Sequence, residues 1–370
     1  MPLLKPLAFA TLAAATMTLA AAVPALLEGA ALATPRAGHQ ATLLADGRVL
    51  VTGGCAGAGC TQVQRSSERY DPASTRFAPA AEMTEPRVSH TAIALADGRV
   101  FVAGGWTGAA ATASTELYDP AQQRFVPGPA MAAARMDGTA TLLDDGSVLL
   151  VGGAAQTNRP LAAAERFGPA SGTLAAAGTL HAARVHHAAV KLRDGRVLVV
   201  GGLVARHAAT ASAEIYDPRS GRFRPTGALA QPRCKHAALL LADGRVLVLA
   251  GSADCGEGRK LASTEIFDPA TETFQPGPPL LDARYKVASA AVRLASGAVL
   301  IAGDANDVEV WTPGTPAFVK LAGAPLGAAL AFSSATALGD GRVLVVGGYD
   351  RTITPTARSW QLATRAGGGR

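Results

Sequence analysis

Aromatic residues are scarce in this 370-residue chain, at 5%, and cysteine is limited to four. Neither pair of cysteines has Cys-x-x-Cys spacing or a nearby histidine pair, which argues against a zinc motif. No segment after the N-terminus reads as an amphipathic helix. Runs of four to six alternating apolar residues instead lie between turn signals, the pattern of an all-β protein. Apolar content of 49% is ample for a core, and Ala, Gly and Arg are heavily used.

The one long apolar stretch is at the start. Lys5 precedes Leu7 to Val23, with small residues at Ala20, Ala21, Ala22 and Ala25, the layout of a secretory leader spanning residues 1–25. Cleavage after Ala22 or after Ala25 is consistent with it. No cysteine follows the run, which argues against a lipid anchor. The expected location is periplasmic or secreted, with no transmembrane segment after cleavage. Four cysteines then suit an oxidising compartment, as Cys55–Cys60 and Cys234–Cys255 pairs. Net charge is +6, and for an exported protein this points to anionic glycans or metabolites before nucleic acid.

What is abundant is repetition. Asp-Gly turns at Asp46, Asp97, Asp145, Asp194, Asp243 and Asp340, and a weakened Ser296-Gly297, recur at about 49 residues. Each is followed by a short apolar strand and a small-residue doublet: Gly53-Gly54, Gly104-Gly105, Gly152-Gly153, Gly201-Gly202, Ala250-Gly251, Ala302-Gly303 and Gly347-Gly348. The Asp-Gly signal predicts a two-residue hairpin between the first and second strands of each unit. A third strand bears Glu-x-Tyr-Asp-Pro (Glu68 to Pro72, Glu116 to Pro120, Glu214 to Pro218), with Phe77, Phe125 or Phe223 on a fourth. Four antiparallel strands, seven times over, predict a seven-bladed β-propeller.

These motifs resemble the kelch repeat family, and the resemblance covers roughly residues 26–364. The longer period and the absence of Trp-Asp ends set the chain apart from WD-type propellers. The chain leaves the seventh unit with three strands of its own. Leu26 to Ala33 is therefore expected to supply the fourth strand, closing the ring, with 365–370 as a disordered basic tail.

Subtracting the repeat frame isolates candidates. Arg36, Arg87, Arg135, Arg184, Arg233 and Arg284 recur before the first strand, and Glu68, Glu116, Glu165, Glu214, Glu265 and Glu309 on the third. Both vanish together in unit seven, at Leu330 and Arg358, so six ion pairs within blades are expected, fastening inner strand to outer. His39, His90, His187 and His236 belong to the same frame. Off the frame are His181, His186, His207, Trp106, Tyr285 and Tyr349, all on one face. The second residue after each repeat arginine should approach the channel mouth: Gly38, Ser89, Asp137, His186, Lys235 and Lys286.

A cationic arc with one carboxylate, bordered by Trp106 and Tyr349, suits an anionic ligand with a stackable face. The ligand-binding set is Ser89, Trp106, Asp137, His186, His207, Lys235, Lys286 and Tyr349. The kelch resemblance implies a binding or scaffolding module, here a monomer facing a protein partner or an acidic carbohydrate. Kelch propellers also include copper radical oxidases, but this chain has no Tyr-His pair and no appended domain to match them. The alternative is a sugar-acid mutarotase or epimerase, with Asp137 and His186 as the acid–base pair. No catalytic residue carries over from that family, whose propellers usually have six blades. No cofactor or metal is assigned, because the spacing of His181, His186, His207 and Asp137 does not define a site.

Overall fold

The computed structural model describes residues 25–156, 159–204, 208–323 and 325–363. The expected leader, apart from Ala25, and the tail at 365–370 lie outside the described residues.

Seven four-stranded antiparallel sheets form a ring. Blade one runs Gln40–Leu43, Val49–Thr52, Ser67–Asp71 and Arg76–Pro79 from axis to rim. Blade seven takes Ser334–Ala337, Val343–Val346 and Ser359–Ala363 from the end of the chain, and its outer strand, Ala25–Glu28, from the start. In that last pairing Ala25 faces Ala363 and Glu28 faces Trp360. The strand is shorter than the Leu26 to Ala33 segment and begins one residue earlier. Among the described residues, no helix is long and apolar enough to cross a membrane.

The second strand of each blade reads as an unbroken apolar run because both of its faces are covered by neighbouring blades. Val49–Thr52, Val100–Ala103, Val148–Val151 and Val197–Val200 are buried throughout. The few aromatics are concentrated in one cross-strand position, joining third strand to fourth. Tyr70 meets Phe77 with ring centres 5.1 Å apart, Tyr118 meets Phe125 at 4.9 Å and Tyr216 meets Phe223 at 4.8 Å.

The Asp-Gly turn is three residues long, not two. Gly47 N donates to Leu44 O and Leu44 N to Arg48 O, which leaves Ala45, Asp46 and Gly47 as the loop. Gly47 holds φ 82°, the left-handed position of a glycine bulge, and Asp46 accepts from the Arg48 amide at 3.0 Å.

All six expected Arg–Glu pairs form within their blades. Their partners correct the expected role. Arg87 Nη1 donates to the carbonyls of Gly104 (2.7 Å) and Ser114 (3.1 Å), while Nη2 reaches Glu116 Oε1 at 2.9 Å. The other Glu116 oxygen accepts from the Thr84 amide at 2.8 Å. Thr84 lies on the connector arriving from the previous blade, so each pair ties that connector to a loop of its own blade. In blade seven Leu330 joins the apolar core, and Arg358 turns to Glu28 at 2.7 Å, bracing the N-terminal strand.

Three of the four frame histidines bridge blades. His39 Nε2 lies 2.8 Å from Ser334 Oγ, His90 Nε2 is 2.9 Å from Thr52 Oγ1 and His187 Nε2 is 3.0 Å from Thr139 Oγ1. Burial, reinforced by the adjacent repeat arginine, pushes His39, His90 and His236 down to about 3. Unfolding restores an ordinary imidazole near 6.5, so between these values the unfolded chain binds more protons. Stability is therefore full well above about pH 6.5 and falls as pH drops towards 3, by up to about 1.4 kcal/mol per pH unit for each histidine. Denaturant titrations at pH 7.5, 6.5 and 5.5 should show a small loss in the first step and a larger one in the second. A flat profile down to pH 5 would contradict it.

Candidate functional site

The mouth of the central channel is built by one backbone device repeated seven times. Gly38, Ser89, Asp137, His186, Lys235, Lys286 and Phe332 all adopt left-handed backbone, with φ between 53° and 63°. Such a conformation costs a non-glycine residue about 1–3 kcal/mol. A ring of hydrogen bonds offsets it. Ser89 N donates to Gly38 O, Asp137 N to Ser89 O, His186 N to Asp137 O, Lys235 N to His186 O, and Phe332 N and Gly38 N close the circle. Blade six is offset by one residue, with Val287 N as the donor to Lys235 O. Since every blade does this whatever its residue, the strain belongs to the frame, and only the side chains distinguish the site.

The ring opens a cavity of about 280 Å³ whose lining includes all seven mouth residues. Ser89, Asp137, His186, Lys235 and Lys286 are thus brought together. Phe332 was missed because the expected frame in blade seven had lost its arginine; counting two residues on from Leu330 would have found it. Tyr349 does not line the cavity, and neither does Trp106. Trp106 sits half-buried in the blade-two loop, where its backbone bridges Val88 and Ala111. His207 lies outside the described residues. His181 is drawn away to Glu214, with Nδ1 3.0 Å from Oε2, and among the described residues no three potential metal ligands cluster.

The aromatic rings gather instead around Lys286, from Tyr285, Phe332 and Tyr349. Lys286 Nζ lies 4.5, 5.7 and 5.3 Å from their respective ring centres. Lys235 Nζ is 5.9 Å from the Tyr285 ring and donates to the Cys255 carbonyl at 3.3 Å. Burial lowers the ammonium pKa of both lysines, and for Lys286 the nearby Lys235 charge adds to the effect. His186 Nδ1 is 3.5 Å from Asp137 Oδ1. Burial holds His186 below the usual imidazole range, Asp137 partly restores it, and the two lysines oppose that. The mouth therefore sets Lys235 and Lys286 beside the Asp137 side chain and an imidazole whose burial favours its neutral form.

Two disulfides border this face. Cys55–Cys60 and Cys234–Cys255 have Cα separations of 5.0 and 5.5 Å, and both point to a non-reducing compartment. The first closes a loop whose Gly59 amide donates to Ile353 O, joining blade one to blade seven. The second lies beside Lys235.

A family model described as the Kelch motif matches residues 87–132, which spans blade two from its clamp arginine to its outer strand. The other six sheets repeat that blade. The chain is a kelch-repeat propeller. A search of curated proteins finds no match. Kelch propellers are commonly protein-interaction modules. In this kelch propeller the frame accounts for six buried arginines, six glutamates, the glycine doublets and four of the histidines, while the mouth residues change from blade to blade.

Proposed function

We propose that this kelch propeller is an exported binding module whose channel mouth takes an anionic ligand, most simply the carboxylate of an acidic sugar in a glycan. The observation that carries the reading is the placement of Lys235 and Lys286 on adjacent blades, half-buried at one end of a cavity. Two like charges drawn from water repel and lose hydration, and a bound carboxylate relieves both costs. Asp137, His186 and Ser89 on the opposite arc suit sugar hydroxyls, and Phe332 offers an aromatic surface to a ring.

The test is a thermal-shift titration of the full chain with D-galacturonate, D-glucuronate and neutral galactose, beside a Lys235→Ala, Lys286→Ala double variant. Uronates near a hundredfold their dissociation constant should stabilise the parent by about 2.7 kcal/mol and leave the variant unmoved. Equal shifts from galactose, or none from any sugar, would remove the anion reading and favour a protein partner on the same face. The 3.5 Å approach of Asp137 to His186 supports a second reading, turnover of the bound sugar by proton transfer. Proton NMR of the same samples decides it: anomer exchange faster than in buffer, and lost in His186→Gln, would make the module an enzyme.

A further inference from the structure

The loop from Ser252 to Lys260 brings one more carboxylate to the lysine pair. Glu257 Oε1 accepts a 2.8 Å hydrogen bond from the Tyr285 hydroxyl and lies 3.8 Å from Lys286 Nζ. The two partners are unequally placed. Tyr285 is 2% exposed, whereas the Glu257 side chain is 73% exposed. A carboxylate that turns outward regains water at once, but a buried hydroxyl left behind has no such recourse. Burial and the Glu257 charge also hold the Tyr285 phenol above its ordinary pKa, so it remains a donor.

The loop itself is fixed, so side-chain rotation alone suffices to move the carboxylate. Cys255 is bonded to Cys234, Ser252 bridges Cys234 and Lys260, and Lys260 Nζ lies 3.0 Å from Asp304. The cations around Glu257 are Lys286, Lys260 and Arg351, so its place stays favourable to an anion when it turns outward.

We propose that the Glu257 carboxylate is an internal occupant of the anion subsite, and that a ligand bearing a carboxylate displaces it and takes over the Tyr285 hydroxyl and the Lys286 ammonium. This rests on the anion-binding reading of the mouth and narrows it to carboxylates, such as uronate units, which match the group they displace. Glu257 then sets affinity by competition, and the Tyr285 hydroxyl is a ligand-binding group beside Lys286.

The experiment is calorimetric titration of the full chain with D-galacturonate and with galactose 6-phosphate, using the parent, Glu257→Ala, Glu257→Gln, Glu257→Ala combined with Tyr285→Phe, and the Lys235→Ala, Lys286→Ala variant. Near-UV circular dichroism first checks that each is folded. Glu257→Ala should bind galacturonate about tenfold more tightly than the parent, and adding Tyr285→Phe to Glu257→Ala should weaken that binding about tenfold, the scale of one charge-assisted hydrogen bond. Glu257→Gln, which keeps a hydrogen-bond acceptor without the charge, should fall between parent and alanine. Binding by Glu257→Ala alone would also support the proposal, as full masking in the parent. Equal or weaker binding by Glu257→Ala, with binding still dependent on the lysines, would overturn the displacement and leave the anion site standing. Tighter binding of the phosphate monoester than of galacturonate by Glu257→Ala would overturn the carboxylate preference. Binding by neither parent nor Glu257→Ala would remove both readings together.

Discussion

Replacing Arg87 with alanine is expected to destabilise the propeller by about 3–5 kcal/mol, the cost of leaving a buried partner charge uncompensated. Arg87 is fully buried, and its guanidinium joins two backbone carbonyls, Ser114 Oγ and Glu116. Its loss leaves the Glu116 carboxylate, itself 1% exposed, facing only the Thr84 amide and an emptied cavity. Lysine is not a substitute, because a single ammonium cannot span the fork that reaches Gly104, Ser114 and Glu116 at once. The control is Arg99→Ala. That residue pairs with Asp97 at 2.6 Å, a shorter contact than Arg87 makes with Glu116, but with its side chain 33% exposed. Its loss should cost no more than about 1 kcal/mol. Guanidinium denaturation of the three proteins separates the cases. Equal losses from Arg87→Ala and Arg99→Ala would show that the clamps do not hold the blades.

Gly104→Val is expected to cost at least about 4 kcal/mol or to prevent folding, because two separate penalties meet there. Gly104 holds φ 64°, and a Cβ built on it runs into the Arg135 carbonyl of the next blade. That carbonyl cannot retreat freely, since it accepts from Gly105 N at 2.8 Å. The same contact, doublet amide to next-blade carbonyl, recurs at Gly54, Gly153, Gly202, Gly251 and Gly348. The doublets are thus the joints between blades. Ala250 occupies the matching place at φ 62°, so a single methyl is accommodated where the neighbouring blade adjusts; a branched side chain is not. Gly98→Val isolates the dihedral penalty, since Gly98 has φ 87° and nothing within 4 Å of an added Cβ. It should cost about 1–3 kcal/mol. Similar losses at Gly104 and Gly98 would reduce the doublet to a local backbone preference.

The blades were legible because each turn, doublet and clamp needs a particular side chain, or the lack of one, at a fixed offset. Asp46, Gly53, Arg36 and Glu68 each mark a place that no other residue type fills as well. The count of blades followed from that, as did the pairing of each arginine with the glutamate of its own blade. Features carried by backbone atoms left no such mark. The amides of Ala33 and Thr34 on Glu68, which make the clamp a connector lock, depend on peptide groups common to every residue. The third residue of the Asp-Gly loop likewise depends on which amide pairs, not on which side chain is present.

The site divides along the same line. Asp137, His186, Lys235 and Lys286 could be placed at the mouth because they stand at a set distance from a frame arginine. Trp106 and Tyr349 were placed only by loop. One turned out to face the blade-two loop and the other to lie beside Lys286, a difference that offset alone does not encode. Glu257, Lys260 and Asp304 come from loops of blades five and six, and their meeting around Tyr285 depends on the curvature of the ring. No periodicity in the chain announces it.

The most direct measurement is a crystal structure of the full chain with D-galacturonate, grown at a ligand concentration only a few times the calorimetric dissociation constant. The account predicts density for the sugar in the channel mouth, with its carboxylate in reach of Lys286 and Lys235 and its ring towards Asp137 and His186. Density elsewhere on the propeller, or a carboxylate pointing away from both lysines, would contradict it.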